Sequence, residues 1–165
     1  MSQGPFPQKQ TWEVLLALLT AQLAGVDVQG ITDKDFNQDD EIIMTPPSLR
    51  VQYTGAGFHS TTDSQRLSYE AVGRFIILCA DEALQDVISQ AMVSIALADQ
   101  VCGILAGTRI NLPSGDISEP ITLVAIEPVP VDGVGMAYAV AIEVPGLAQF
   151  AGANASGFTA EGLTS

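Results

Sequence analysis

Residues 67–79, LSYEAVGRFIILC, put Tyr69, Ala71, Gly73, Phe75 and Ile77 on one side of an extended chain. Glu70, Val72, Arg74, Ile76 and Leu78 fall on the other side. Side chains alternate across a strand, so this spacing predicts one long strand with a buried face. Upstream, Leu49, Val51 and Tyr53 alternate with Arg50 and Gln52, which predicts a second, half-buried strand. The stretch between them, TGAGFHSTTDSQR, is rich in turn residues. The two strands are therefore expected to form an antiparallel hairpin joined by a flexible loop near 55–66.

Beyond residue 80 the period changes. Leu84, Val87, Ile88, Ala91, Met92, Ile95, Ala98, Cys102 and Leu105 recur at helical spacing, with no Pro or Gly from Asp81 to Cys102. A helix of about six turns fits, with Gly107 as its stop. Near the start, Trp12, Leu15, Leu16, Leu19 and Leu23 form an apolar helical face. Thr11 is placed to be its N-cap, Glu13 opposes the dipole in its first turn, and Gly25 is placed to end it. Late in the chain Thr108–Leu112 reads as a short strand followed by a turn at 113–116. Ile121–Ile126 and Met136–Val144 are β-rich and joined by EPVPVDGVG, with Asp132-Gly133 at the bend. Pro128 and Pro130 cannot donate to a ladder, which suits a sheet edge or a hairpin tip.

These elements predict an α+β fold, a mainly antiparallel sheet with helices at 11–24 and 82–106 packed on one face. Residues 11–145 are expected to form a single domain. Residues 1–10 and 146–165 lack a repeating apolar face and read as a flexible arm and a flexible tail or arm. The chain has 165 residues, 47% of them apolar, enough for a real core.

Composition speaks more about what the chain lacks. Against 19 acidic residues stand six basic ones, for a net charge of −13. Such a balance repels nucleic-acid phosphates rather than capturing them. The single histidine, His59, lies in the Gly/Ser/Thr-rich stretch, and no metal or cofactor motif surrounds it. Asp33, Asp35, Asp39, Asp40 and Glu41 cluster between Val26 and Pro47 but lack the glycine and the offset Glu of a calcium loop. That segment is expected to be a solvated acidic loop. Cys79 and Cys102 sit in apolar runs and read as buried free thiols. No apolar h-region opens the chain and no apolar run is long enough to span a bilayer, so neither a signal peptide nor a membrane segment is expected.

A hydrolase would have to use His59, Ser60 and Asp63, all in one short stretch. A working triad is normally assembled from distant segments with a buried carboxylate and an oxyanion hole, so no catalytic residue is assigned. A second possibility is a small ligand-binding module using the open sheet face and the glycine-rich loop. The absence of a chemical cluster points instead to a protein that works through its surfaces.

The order helix, hairpin, helix, hairpin resembles the tail-terminator and tail-completion (neck) proteins of tailed bacteriophages, most closely those of Mu-like contractile-tailed phages. The resemblance is carried by TWEVLLALLTAQLAG, PSLRVQYTGAGF, YEAVGRFIILCAD, DQVCGILAG, ITLVAIEPVP and MAYAVAIEVPG, and covers residues 11–145. It implies a virion structural protein, assembled in the host cytoplasm, that forms a hexameric homo-oligomer ring at the head–tail neck. Such a ring terminates the tail tube, contacts tube or sheath proteins and joins the head-side connector, with DNA passing through its lumen unbound. A head-side stopper or adaptor, or a tail-tube-like protein, is the alternative within the same class. The Asp-rich segment at 33–41 and the Gly/Ala/Ser-rich end depart from the pattern. Ring formation needs complementary patches on each subunit. Arg50, Arg66 and Arg74, half of all basic residues, are the candidates to meet a neighbour's carboxylates, with Tyr53 beside them. The alternative is that these arginines lie on a solvated sheet face.

Overall fold

The computed structural model describes residues 7–31, 35–36, 38–39, 42–63, 66–82, 87–131, 135–146 and 150–151. The first helix, α1 (Pro7–Gln22), begins four residues before the predicted Thr11 cap. Proline is well placed in a first turn, where its missing N–H costs nothing, and Gln8, Lys9 and Gln10 are good helix formers. Thr11 is therefore inside the helix, buried, and its hydroxyl donates to the carbonyl of Pro7 at 2.7 Å. The arm expected over residues 1–10 thus gives its last four residues to α1, and residues 1–6 lie outside the described residues. After α1 the chain turns at Gly25, whose φ of 78° is the left-handed conformation that glycine adopts without strain.

One sheet follows, built from β1 (Asp27–Gly30), β2 (Ser48–Asp63), β3 (Arg66–Ala80), β4 (Thr122–Val131) and β5 (Gly135–Pro145). Their order across the sheet is β1-β2-β3-β5-β4, and β6 (Phe150–Ala151) pairs β3 beyond the end of β5. All pairings are antiparallel except β1 with β2. The sheet is thus mainly antiparallel, in agreement with the α+β expectation.

The hairpin differs from the predicted one in length. The turn-rich stretch at 54–63 is strand, pairing with β3 residue by residue as far as Asp63 opposite Arg66. Its glycines mark a bulge and a close approach rather than a loop. The register shifts at Thr54, and Gly57 lies under the side chain of Arg74.

The second helix, α2 (Val87–Leu105), covers the same sheet face as α1. Leu15 and Leu19 of α1, Leu23 just after it, and Leu97, Ala98, Val101 and Leu105 of α2 are buried against Leu49, Val51, Phe75, Ile77, Val140, Ile142 and Val144. These are alternate positions of β2, β3 and β5, as the period-two pattern requires. Leu84, predicted to open the helix, lies outside the described residues. Gly107, with φ 74°, ends α2 where the sequence placed its stop. Thr108–Leu112 forms no extended strand; only Asn111 bridges Ile117 across the turn at 113–116.

The other sheet face is partly covered too. Leu78, Ala80, Ala137 and Val131 form a small cluster with Met44, joined by Ile31 and Ile42. The segment after β1 therefore folds back across the sheet instead of standing in solvent, and Phe36 bridges Ile42 within it. This corrects the reading of 26–47 as a solvated acidic loop for Ile31, Asp35, Ile42 and Met44, whereas Asp39 is exposed and Asp33, Asp40 and Glu41 lie outside the described residues. The segment's few apolar residues are spaced too irregularly to show a period, yet Ile31, Ile42 and Met44 find the sheet while Ile43 stays exposed. The predicted C-terminal tail is also shorter than drawn: the Gly146 amide donates to the carbonyl of Ala71 and Phe150–Ala151 pair β3. Residues 152–165 lie outside the described residues.

Candidate functional site

The four residues singled out from the sequence have different fates. Arg50 lies on β2 facing away from the helices and is only 7% exposed. Its Nη2 donates to Asp27 Oδ2 at 3.0 Å, its Nε to Asp35 Oδ1 at 3.3 Å and its Nη1 to the carbonyls of Asp27 and Leu49. It pins β1 and the crossing segment to the sheet from inside the subunit. Arg50 is thus neither on a solvated face nor at a rim. The signal for its partner was Asp35, one of the acidic residues read as solvated.

Tyr53 packs its ring against Phe75, with centroids 5.3 Å apart and planes tilted by 57°. Burial pushes its hydroxyl above the ordinary tyrosine value. Arg66 opens β3 opposite Asp63 at the end of the hairpin, and its side chain lies outside the described residues. Arg74 is the half-exposed member of the set. Its Nε donates to Glu143 Oε2 on β5 at 3.4 Å. Its guanidinium also reaches the other way, over β2, where a Cβ on Gly57 would stand 2.8 Å from Nη2. The arginine thus spans three strands on the face away from the helices.

The feature that sequence reading missed is the exposure of the apolar residues of β4, a strand whose prolines suit the edge position that it takes. α2 lies mainly over β5 and β3, and the first half of β4 beyond them is left exposed. Leu123 and Ile126 sit opposite Ile142 and Val140, which places them on the helix side. They are nevertheless 40% and 45% exposed, and Val124, at a register shift, is 58% exposed. Met92 and Ile95, part of the apolar stripe expected to be core, are on the outside of α2 and exposed as well. The run ITLVAI reads as β-rich in sequence, Pro128 and Pro130 suit an edge or a hairpin tip, and the strand order places β4 at the end of the sheet. Scattered apolar side chains need no explanation, whereas consecutive ones along an open edge mark a docking surface.

The residues a hydrolase would need are not brought together. His59 pairs Glu70 and Ser60 pairs Tyr69 in adjacent register positions, so the two side chains point to opposite faces of the hairpin. Asp63's side chain lies outside the described residues. Among the described residues no three His, Cys, Asp or Glu side chains are grouped as a metal site would require. Cys79 is buried and its thiol donates to the carbonyl of Ile77 at 3.6 Å; Cys102 is partly buried. Burial, and secondly the neighbouring Cys102, push the Cys79 thiol up; burial, and secondly Asp99, push Cys102 up. Neutral thiols in such surroundings are poor nucleophiles. Among the described residues no helix is long and apolar enough to cross a membrane.

No protein-family model and no curated protein matches this chain. Among solved structures, a chain of a particle described as "Virion of native gene transfer agent (GTA) particle" is similar in fold. It shares 14% identity at a TM-score of 0.43, covering 86% of this chain and 92% of that chain.

Proposed function

We propose that this chain is a structural protein of a phage-like virion that assembles into a closed, hexameric ring at the head–tail neck. There it terminates the tail tube, sits beneath the head-side connector and lets DNA pass without binding it. No residue acts as a catalyst in this reading. The observation that carries it is the sheet edge at β4, where Leu123, Val124 and Ile126 stand exposed in a row in a chain with no grouped catalytic or metal-binding residues among those described. An apolar edge of this kind is a liability in a monomer and an asset in an assembly. The order of elements, which resembles tail-terminator and tail-completion proteins, supports the same station. The net charge of −13 suits the wall of a conduit, since a basic lumen would hold the DNA it must release.

The test has two arms. Electron micrographs of the purified protein should show rings of sixfold symmetry, alone or stacked on tube ends. Particles made without the protein should accumulate as separate heads and tails, the tails of full or excessive length. Normal joining of heads to tails in its absence would remove the neck assignment.

A further inference from the structure

Two strand edges of this sheet lack a neighbour among the described residues. β1 lies beside β2 only along Ser48–Val51, so from Gln52 to Gly57 the outer edge of β2 has no strand next to it. β4 ends the sheet on the opposite side. Within β4, Pro128 and Pro130 have no N–H to offer, which leaves Thr122–Ile126 as the stretch able to take another strand. An open edge on each side of one subunit is what a head-to-tail series of copies requires.

We infer that the β4 edge at Thr122–Ile126 receives the outer edge of β2, Gln52–Gly57, from a second copy of this chain, continuing the sheet from one subunit into the next. This rests on the ring reading and names its contact. The register decides in its favour. On the helix side β4 presents Leu123 and Ile126, and β2 presents Tyr53 and Ala56, which sit opposite Phe75 and Gly73. On the other side β4 presents Ala125 and Glu127, opposite Ala141 and Ala139, while β2 presents Gly55 and Gly57. Joined edge to edge, apolar meets apolar on the helix side.

Charge matches on the far side. β4 carries Glu127 and no basic residue, whereas β3 carries the half-exposed Arg74. Because Gly57 has no side chain, the Arg74 guanidinium already lies over β2, one strand from the edge that Glu127 of the second copy would approach. A close charge pair at such a rim fixes register and partner choice. Lysine on an edge strand is a natural blocker of this kind of pairing, and β4 has none.

The experiment uses the full chain, with mass against concentration by light scattering, fold by circular dichroism and shape by electron microscopy. Ile126→Lys and Val124→Lys, both at exposed positions, should keep the fold and run as monomers. Glu127→Arg and Arg74→Glu should each raise the concentration needed for assembly about tenfold, as expected for one lost close charge pair. The double variant R74E/E127R should recover assembly. Should the lysine variants fail to fold, the charge swap decides alone. Rings that persist in the folded lysine variants, or a swap that recovers nothing, would overturn the edge pairing and leave the ring reading standing. Open chains or dimers that the same variants abolish would uphold the pairing and remove ring closure. A wild-type chain that is monomeric at every concentration would remove both.

Discussion

Arg50 on β2 and Asp27 at the start of β1 form an ion pair, Nη2 to Oδ2 at 3.0 Å, and the same guanidinium donates through Nη1 to the Asp27 carbonyl. Side chain and backbone of one residue are thus held by one buried cation, which ties a short parallel strand to a sheet that is otherwise antiparallel. A four-residue strand has little to hold it otherwise.

Removing that cation should be costly. Arg50→Ala takes one buried donor away from two carboxylates and two carbonyls, and the loss should be about 3 kcal/mol, since breaking one side of a buried pair is costly to the other. Asp27→Asn should cost about 1 kcal/mol, because Asp27 is half exposed and Asp35 still holds Arg50. Urea unfolding of both variants measures this. Equal effects would show that the Asp27 carboxylate, not the shared network, holds β1.

Trp12, the only tryptophan, reports on the docking of α1. Its Nε1 donates to the carbonyl of Val51 at 3.1 Å, and its ring lies where a Cβ on Gly30 would come within 3.0 Å of Cζ2. Trp12→Phe should cost about 1 kcal/mol, because the Ile31 amide still donates to the Val51 carbonyl. Gly30→Leu should displace the indole and shift its fluorescence to longer wavelength in the folded protein. An unchanged emission maximum would mean the ring is not held between α1 and β1.

Gly73 marks the seat of the first turn of α1. A Cβ there would lie 2.5 Å from Gln8 Oε1 and 3.2 Å from Phe75 Cε2. The glutamine amide ends a flexible side chain, so Gly73→Ala should be tolerated within about 1 kcal/mol. Gly73→Val adds bulk that the Phe75 ring cannot yield to and should cost about 2 kcal/mol. Hydrogen exchange should locate the loosening at the amides of residues 11–14 rather than in β5; protection lost in β5 instead would contradict this seat.

Alkaline pH should destabilise the fold through Cys79. Its thiol is pushed up in the folded state, chiefly by burial, from an ordinary value of about pH 9. Once the pH rises above that value, the unfolded chain releases a proton that the folded chain keeps. The unfolded state then binds fewer protons, so stability falls with rising pH. The contribution is complete below about pH 9 and is lost above it. The urea midpoint should therefore decline above that pH, and Cys79→Ala should flatten the decline. An identical slope in the variant would assign the loss to other groups, Cys102 first among them and then Tyr53.

Much of the architecture is local information, which the sequence carries by itself. The alternation through 67–79 and the first helical stripe ending at Leu23 depend only on the residue's own period and specify which side is buried, whereas the stripe of α2 is misplaced, with Met92 and Ile95 exposed and Leu97 and Val101, outside it, in the core. Helix stops at Gly25 and Gly107 are equally local, because a positive φ is a property of one residue. Other features were decided by tertiary contacts. The stretch 54–63 has the composition of a loop and becomes strand because β3 offers it a ladder across its whole length. Arg50 looks like a surface residue on an alternating strand until the segment that bears Asp27 and Asp35 closes over it. Pro128 and Pro130 leave β4 either a sheet edge or a hairpin tip, and the order β1-β2-β3-β5-β4 decides for the edge. Burial of a face follows from periodicity along the chain, whereas the position of a strand in its sheet depends on partners far away in sequence, and no period encodes it.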